Sequence, residues 1–254
     1  MKVVLKYFLV FSCFILTYSA YGEDANKIFQ QANEAYMKKD YSTAIELYET
    51  MVQEGSKSAN LFYNLGNAYF KNEHLAQSIL YYERALRLSP NNKDIIHNIA
   101  FANQKIIDDM ETMPELIIYK WIRNFYSLFS SNTWAVIACV CCIAMFIAVG
   151  FMIVSRMHKR RVYLFFISLI CFVLLIISIA FSIMQYQQSN RSDEAIITQA
   201  SVVVKSMPDQ SGTDLFTVHE GLKVKINDKV GKWVEVLFPN GSKGWMKISD
   251  LEVI

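Results

Sequence analysis

Cysteine is absent wherever it could do exported chemistry. The chain has five, Cys13, Cys139, Cys141, Cys142 and Cys171, and every one lies inside an apolar run. They supply no disulfide framework, no CxxC pair and no metal cluster. The adjacent Cys141 and Cys142 read as small apolar filler in a membrane helix. Histidine adds nothing: His74, His97, His158 and His219 are scattered, with no i, i+4 pair for zinc. A G-x-S-x-G elbow and a phosphate-binding glycine loop are also missing. No catalytic residue, metal or cofactor is therefore expected, and the chain reads as non-enzymatic.

Charge is short as well. Charged residues make up 19% of the 254 and apolar ones 53%, a balance too apolar for a soluble protein of this length. The net charge of +2 gives no reason to expect nucleic acid. From Glu23 to Met113 there are 9 Lys/Arg against 13 Asp/Glu, and from Met184 to Ile254 there are 8 against 9. The missing positive charge therefore sits beside the apolar runs.

Those runs give a membrane plan. Residues 1–22 read as a secretory signal: Lys2 and Lys6, an apolar stretch from Tyr7 to Thr17, and the small-x-small site Ala20-Tyr21-Gly22. Residues 134–154 and 162–183 are uncharged over 21 and 22 residues, long enough to cross a hydrocarbon core as helices. Between them, residues 155–161 hold Arg156, Lys159, Arg160 and Arg161, and a loop so basic stays cytoplasmic. The expected localisation is a bacterial inner membrane crossed by a two-helix hairpin, with both flanking domains periplasmic. Residues 113–133 carry an amphipathic pattern. Lys120, Arg123, Asn124, Ser127 and Ser131 share one face, and Ile118, Trp121, Ile122, Phe125, Leu128 and Phe129 the other, as in a helix lying in the membrane surface.

Before the membrane region a 34-residue period appears. Asp40-Tyr41-x2-Ala44-Ile45-x2-Tyr48 recurs as His74-Leu75-x2-Ser78-Ile79-x2-Tyr82, while Ala32 matches Gly66 and Met51 matches Ala85. Leu65-Gly66-x2-Tyr69, Tyr82-x2-Ala85 and Pro90 resemble the tetratricopeptide repeat. Units are expected at 25–58 and 59–92, with a closing helix at 93–109, together forming an all-α solenoid over 23–112. So few repeats leave an incomplete core, and the membrane-proximal helix is a candidate to complete it. The resemblance implies a groove lined by Asn33, Tyr36, Asn60, Tyr63, Asn67, Phe70, Lys71, His97 and Phe101. Asn33 and Asn67 stand where members with a carboxylate clamp hold a C-terminal peptide, but His97 and Phe101 replace the clamp's cations. A helix or extended peptide held by aromatic and amide contacts is the expected ligand.

Residues 184–194 read as a polar linker. Beyond it, short β-patterned runs and the Pro239-Asn240-Gly241 turn point to five strands over 195–254. Asn-Gly favours positive φ at both central positions of a hairpin turn. Val202-x-Val204-Lys205-Ser206-x-Pro208, Glu220-Gly221-x2-Val224, Trp233-Val234-x-Val236 and Gly244-Trp245-Met246 resemble bacterial SH3-like domains, small all-β barrels. Trp233 and Trp245 are its groove candidates, weighed against a packing role. The acidic run Asp108-Asp109 with Glu111 is expected to be solvated.

The full order of signal, repeats, hairpin and SH3-like module resembles the BatE family of the Bacteroides aerotolerance group. Further matches are Asp94-Ile95-x2-Asn98-Ile99-x2-Ala102, Met113-Pro114-Glu115 and Trp134. The resemblance implies membrane partners bearing von Willebrand A domains and a MoxR-type ATPase, in oxygen and stress tolerance. The SH3-like module implies a protein or cell-wall component as ligand. A scaffold is expected; the competing expectation is an envelope sensor whose SH3-like domain signals through the hairpin.

Overall fold

The computed structural model describes residues 25–108, 110, 116–189 and 193–254; the expected signal segment lies outside them. Two compact units are formed. Of the described residues, one takes those up to Leu86, those from Lys93 to Met110 and Glu194–Ile254, and the other takes Arg87–Asn92 and those between Glu111 and Asp193.

The first unit begins with antiparallel helices: α1 (residues 25–37), α2 (Tyr41–Gln53), α3 (Ala59–Lys71), α4 (Leu75–Leu88) and α5 (Lys93–Asn103). Their ends repeat with the sequence period. After α1, Lys39 takes φ 64° and the Asp40 amide donates to the Ala35 carbonyl at 3.0 Å; after α3, Glu73 takes φ 65° and the His74 amide donates to Tyr69 at 3.0 Å. Each is a left-handed cap that satisfies the last carbonyls and turns the chain at once into the next helix. Asp40 then caps α2 through the Thr43 amide, and Ser58 caps α3 through the Leu61 amide. Inside the second repeat, a Cβ on Gly66 would lie 2.6 Å from Tyr82 Cδ1, so only glycine lets α3 and α4 approach this closely.

Seven strands follow, β1 (Glu194–Ile197), β2 (Ser201–Lys205), β3 (Asp214–His219), β4 (Lys223–Val230), β5 (Trp233–Leu237), β6 (Lys243–Lys247) and β7 (Leu251–Val253). They form one antiparallel sheet in the order β3-β2-β6-β5-β4-β1-β7. Seven strands form where five were expected; one of the additional strands arises at Gly221, which takes φ 87° and separates β3 from β4. The expected barrel is an open sheet, since β3 and β7 lie at opposite ends of the ladder. At Pro239-Asn240-Gly241 the hairpin forms with positive φ at Gly241 alone, closed by Phe238 and Ser242 as a three-residue loop. The core of the sheet is aliphatic: Ile197, Val204, Val218, Val236 and Met246 are fully buried.

Helices and sheet share their interior. Ile196 is buried within the helical core, and Ile106 and Ile254 pack on it. α4 is buried on nearly all sides, including Ile79, Leu80, Tyr81 and Glu83. The core is thus completed by the sheet; the membrane-proximal helix belongs to the other unit. Polar contacts tie the joint. Arg84 donates to Val253 O at 2.7 Å and pairs with Glu252 at 3.0 Å, while Asp108 accepts from the His219 amide at 2.5 Å and meets its ring Nδ1 at 2.9 Å. Asp108 is therefore engaged, not solvated. The two contacts also occupy backbone groups on both end strands, β7 and β3, which would otherwise template further pairing.

Lys223 is the third tie, 2.9 Å from Glu83 and 3.0 Å from Glu194. Burial pulls its ammonium down, but the two carboxylates outweigh burial and the net displacement is upward. A raised folded value means stability that is fully present below the unfolded lysine value of about 10.4 and is lost as pH rises through the folded value. Between pH 9 and 12, the wild type is expected to lose more stability than Lys223→Met. Denaturant midpoints across that range test it, and equal losses would contradict the assignment.

In the second unit, α6 (Ile117–Tyr126) precedes α7 (Ser131–Val154) and α8 (His158–Ser189). The last two are long and apolar enough to cross a membrane. Ser131 Oγ and Ser182 Oγ each donate to the other residue's carbonyl at 3.0 Å, pinning the open end of the pair. Trp134 Nε1 donates to Tyr126 O at 2.8 Å, and its ring meets Phe125, Phe129 and Phe181. α6 leaves Ile118, Trp121 and Phe125 exposed. Several boundaries differ from expectation. α6 covers only Ile117–Tyr126 of the stretch 113–133, and α7 starts at Ser131 and not at Trp134. α8 starts at His158, so Lys159, Arg160 and Arg161 form its first turn and only residues 155–157 connect the helices; it also continues through the polar residues 185–189. Lys, Arg and Gln are good helix formers, and their charge or polarity hides that preference.

Candidate functional site

The helical layer repeats a polar motif among the residues expected to line a groove. Asn33 Oδ1 accepts from Tyr48 Oη at 2.6 Å and from Asn64 Nδ2 at 3.0 Å. One period later, Asn67 Oδ1 accepts from Tyr82 Oη at 2.7 Å and from Asn98 Nδ2 at 2.8 Å. Each rung links three helices: α1, α2 and α3 in the first, and α3, α4 and α5 in the second. Asn98 Nδ2 also reaches Tyr63 Oη at 3.1 Å. Burial pushes the Tyr48 phenol up to about 12 and raises Tyr82 as well, so both remain donors near neutral pH.

Both acceptor oxygens are used internally, while no hydrogen bond is made by the Asn33 or Asn67 Nδ2 groups among the described residues. An asparagine whose oxygen is fixed has its amide aimed, and that amide can meet a carbonyl of an incoming chain. Asn33, Tyr36, Met37, Tyr48, Asn64 and Asn67 line a cavity of about 170 Å³ at this point.

The other expected groove residues divide. Phe70 and Phe101 meet at 5.6 Å, with Lys105 Nζ 5.2 Å from the Phe70 ring centre. Asn60, Lys71 and His97 are exposed, and no hydrogen bond or ring contact joins them to the other six among the described residues. Sequence reasoning missed Asn64 and Asn98. The 34-residue spacing that relates Asn33 to Asn67 also relates Asn64 to Asn98, and a search for repeated polar residues would have found both.

On the sheet, Trp233 stands opposite Lys247 and Trp245 opposite Glu235, diagonal neighbours that are both half-buried. Trp233 lines a cleft of about 490 Å³ with Ser201, Lys205, Gln210, Lys247 and Asp250; Trp245 is not part of its wall. Lys205 is held in place by Asp214 Oδ1 at 2.5 Å and by the carbonyls of Gln210 and Gly212. Its ammonium is thereby committed to folding the 206–213 loop. Arg156 lies in the connection between α7 and α8, and Lys159, Arg160 and Arg161 lie at the start of α8. No cluster of three metal-ligating side chains occurs among the described residues.

No curated protein matches the chain. Residues 59–92, which span α3, α4 and the turn after them, match the family model of the tetratricopeptide repeat, so the helical layer contains a repeat of an interaction fold that typically does no chemistry of its own.

Proposed function

We propose that this chain is a two-span membrane adaptor that presents a peptide-binding tetratricopeptide groove on the outer side of a bacterial inner membrane. The observation that supports the groove is the pair of asparagine rungs: among the described residues the Asn33 and Asn67 Nδ2 amides make no hydrogen bond, and both asparagines line a cavity of about 170 Å³ with Tyr36, Met37 and Tyr48. Side chains of this kind hold an extended segment through its backbone and its apolar residues together. The specific partners follow from the resemblance to the BatE family: membrane proteins with von Willebrand A domains and the MoxR-type ATPase system, in a stress-tolerance role. The sheet, read as an open SH3-like module, offers the Trp233 cleft to a second protein or a wall component.

The shared interior of helices and sheet supports the hairpin. Residues before α7 and after α8 build one core, which requires both flanks of the two spans to lie on the same side. The basic residues at the bend favour the cytoplasm for that end, which leaves the outer face for the shared unit. α6, with its exposed aromatic face, fits the membrane surface. The modules are therefore one platform, not two domains on separate tethers.

The test uses single cysteines at exposed positions. His97→Cys and Lys232→Cys are expected to react with a membrane-impermeant maleimide on intact spheroplasts, and Met157→Cys is expected to stay unreactive. A crosslinker carried at position 97 is then expected to capture a partner, with capture reduced by Tyr36→Ala or Phe101→Ala. Asn67→Ala is a poor probe because it also removes two internal bonds, at a cost of roughly 1–3 kcal/mol. Labelling at 157 and not at 97 or 232 would reverse the orientation. Capture indifferent to Tyr36 and Phe101 would refute the groove.

A further inference from the structure

The bend between α7 and α8 has a composition that orienting the hairpin does not exhaust. Between Glu115 and Asp193 the chain contains no acidic residue, so Arg156, Lys159, Arg160 and Arg161 have no carboxylate within their own unit's spans and bend. Among the described residues none of them forms an ion pair. Arg161 is held by one contact, its Nε donating to Ser155 O at 2.7 Å, which leaves its terminal nitrogens free. Placing cations in the first turn of α8 also opposes the helix dipole, whose positive end lies there.

This charge borders a groove of about 770 Å³. Its polar end is formed by His158 and Arg161, and its apolar wall by Met152, Ile153, Phe165 and Phe166. The two phenyl rings stand edge to face at 5.7 Å, and both are about half exposed. A soluble anion would satisfy the cations and leave the apolar wall unused. A neutral lipid would do the reverse. An anionic phospholipid satisfies both ends at once, its phosphate beside Arg161 and His158 and an acyl chain along Phe165 and Phe166.

We infer that the bend of the hairpin binds one anionic phospholipid, held by Arg161 at the headgroup and by the Phe165–Phe166 wall along the acyl chain. The inference rests on the two-span reading.

The full chain, purified in a non-ionic detergent, is titrated with dioleoyl phosphatidylglycerol or dioleoyl phosphatidylcholine, and bound lipid is counted by native mass spectrometry. Retention of phosphatidylglycerol is expected to exceed that of phosphatidylcholine by roughly fivefold or more. Arg161→Gln, a change at an exposed site, is expected to remove that preference, while Arg156→Gln, outside the groove, is expected to keep it. Inorganic phosphate at the lipid's concentration is expected not to compete. Equal retention of the two lipids, equal loss in both variants, or displacement by phosphate would each overturn the site. Alkaline carbonate washing of membranes separates the two readings. Release of the chain would defeat the two-span reading and this inference with it, whereas a chain that stays embedded without lipid preference defeats the inference alone.

Discussion

Tyr82→Ala is expected to destabilise the helical layer by about 3–5 kcal/mol, the range for truncating a fully buried aromatic side chain. Tyr82 is 2% exposed, and its ring fills the space that the missing Cβ of Gly66 leaves open. Truncation opens a cavity between α3 and α4 and removes the donor that fixes Asn67 Oδ1. Tyr82→Phe separates these contributions. It keeps the ring and loses the hydroxyl, so its cost is expected near 1 kcal/mol. Hydrogen exchange on the full chain in detergent reads both, because amides of α3 and α4 report the opening free energy of that layer. A cost for Tyr82→Ala no larger than that for Tyr82→Phe would show that the ring is not the keystone between these helices.

Gly221→Val is the second large effect, and Gly231→Val is its control. Both glycines hold positive φ, 87° and 60°, where a β-branched residue is strained by roughly 1–2 kcal/mol. Around Gly231 a new Cβ meets nothing within 4 Å, whereas at Gly221 it lies 3.1 Å from Ile79 Cδ1 and 3.3 Å from Ile106 Cγ1. The difference between the two variants therefore reads the joint between sheet and helices, and about 1–3 kcal/mol of overpacking is expected on top of the backbone strain. Gly221→Val is further expected to split one cooperative unfolding transition into two, with helices and sheet no longer coincident. Equal effects at the two glycines would mean that the joint contributes little.

Much of the architecture was legible because it rests on local period. The 34-residue repeat announced a helical region, and two uncharged runs announced the two long apolar helices. Strand positions were legible from alternation, but the break at Gly221 was not: Val218 before it and Leu222, Val224 and Ile226 after it, alternating with Lys223 and Lys225, read as one β-patterned run. The joint was hidden for a different reason. Glu83, Arg84 and Asp108 look like ordinary surface charges on helices, and their partners Lys223, Glu252 and His219 lie more than a hundred residues away in the chain. No short-range pattern encodes such pairs. At the groove, residue types were visible but their duties were not, since Asn33 and Asn67 are framework acceptors as well as candidate contacts.

The joint also orders the chain's assembly. The ribosome makes the helical layer before the sheet, with both apolar helices between them. Until the sheet emerges, the Ile79 side of α4 lacks its cover and the Glu83 carboxylate lacks its counter-ion. The helical layer must therefore wait, unfinished, while the two long apolar helices are made. A chain cut short after the second apolar helix would present that raw surface to chaperones and proteases.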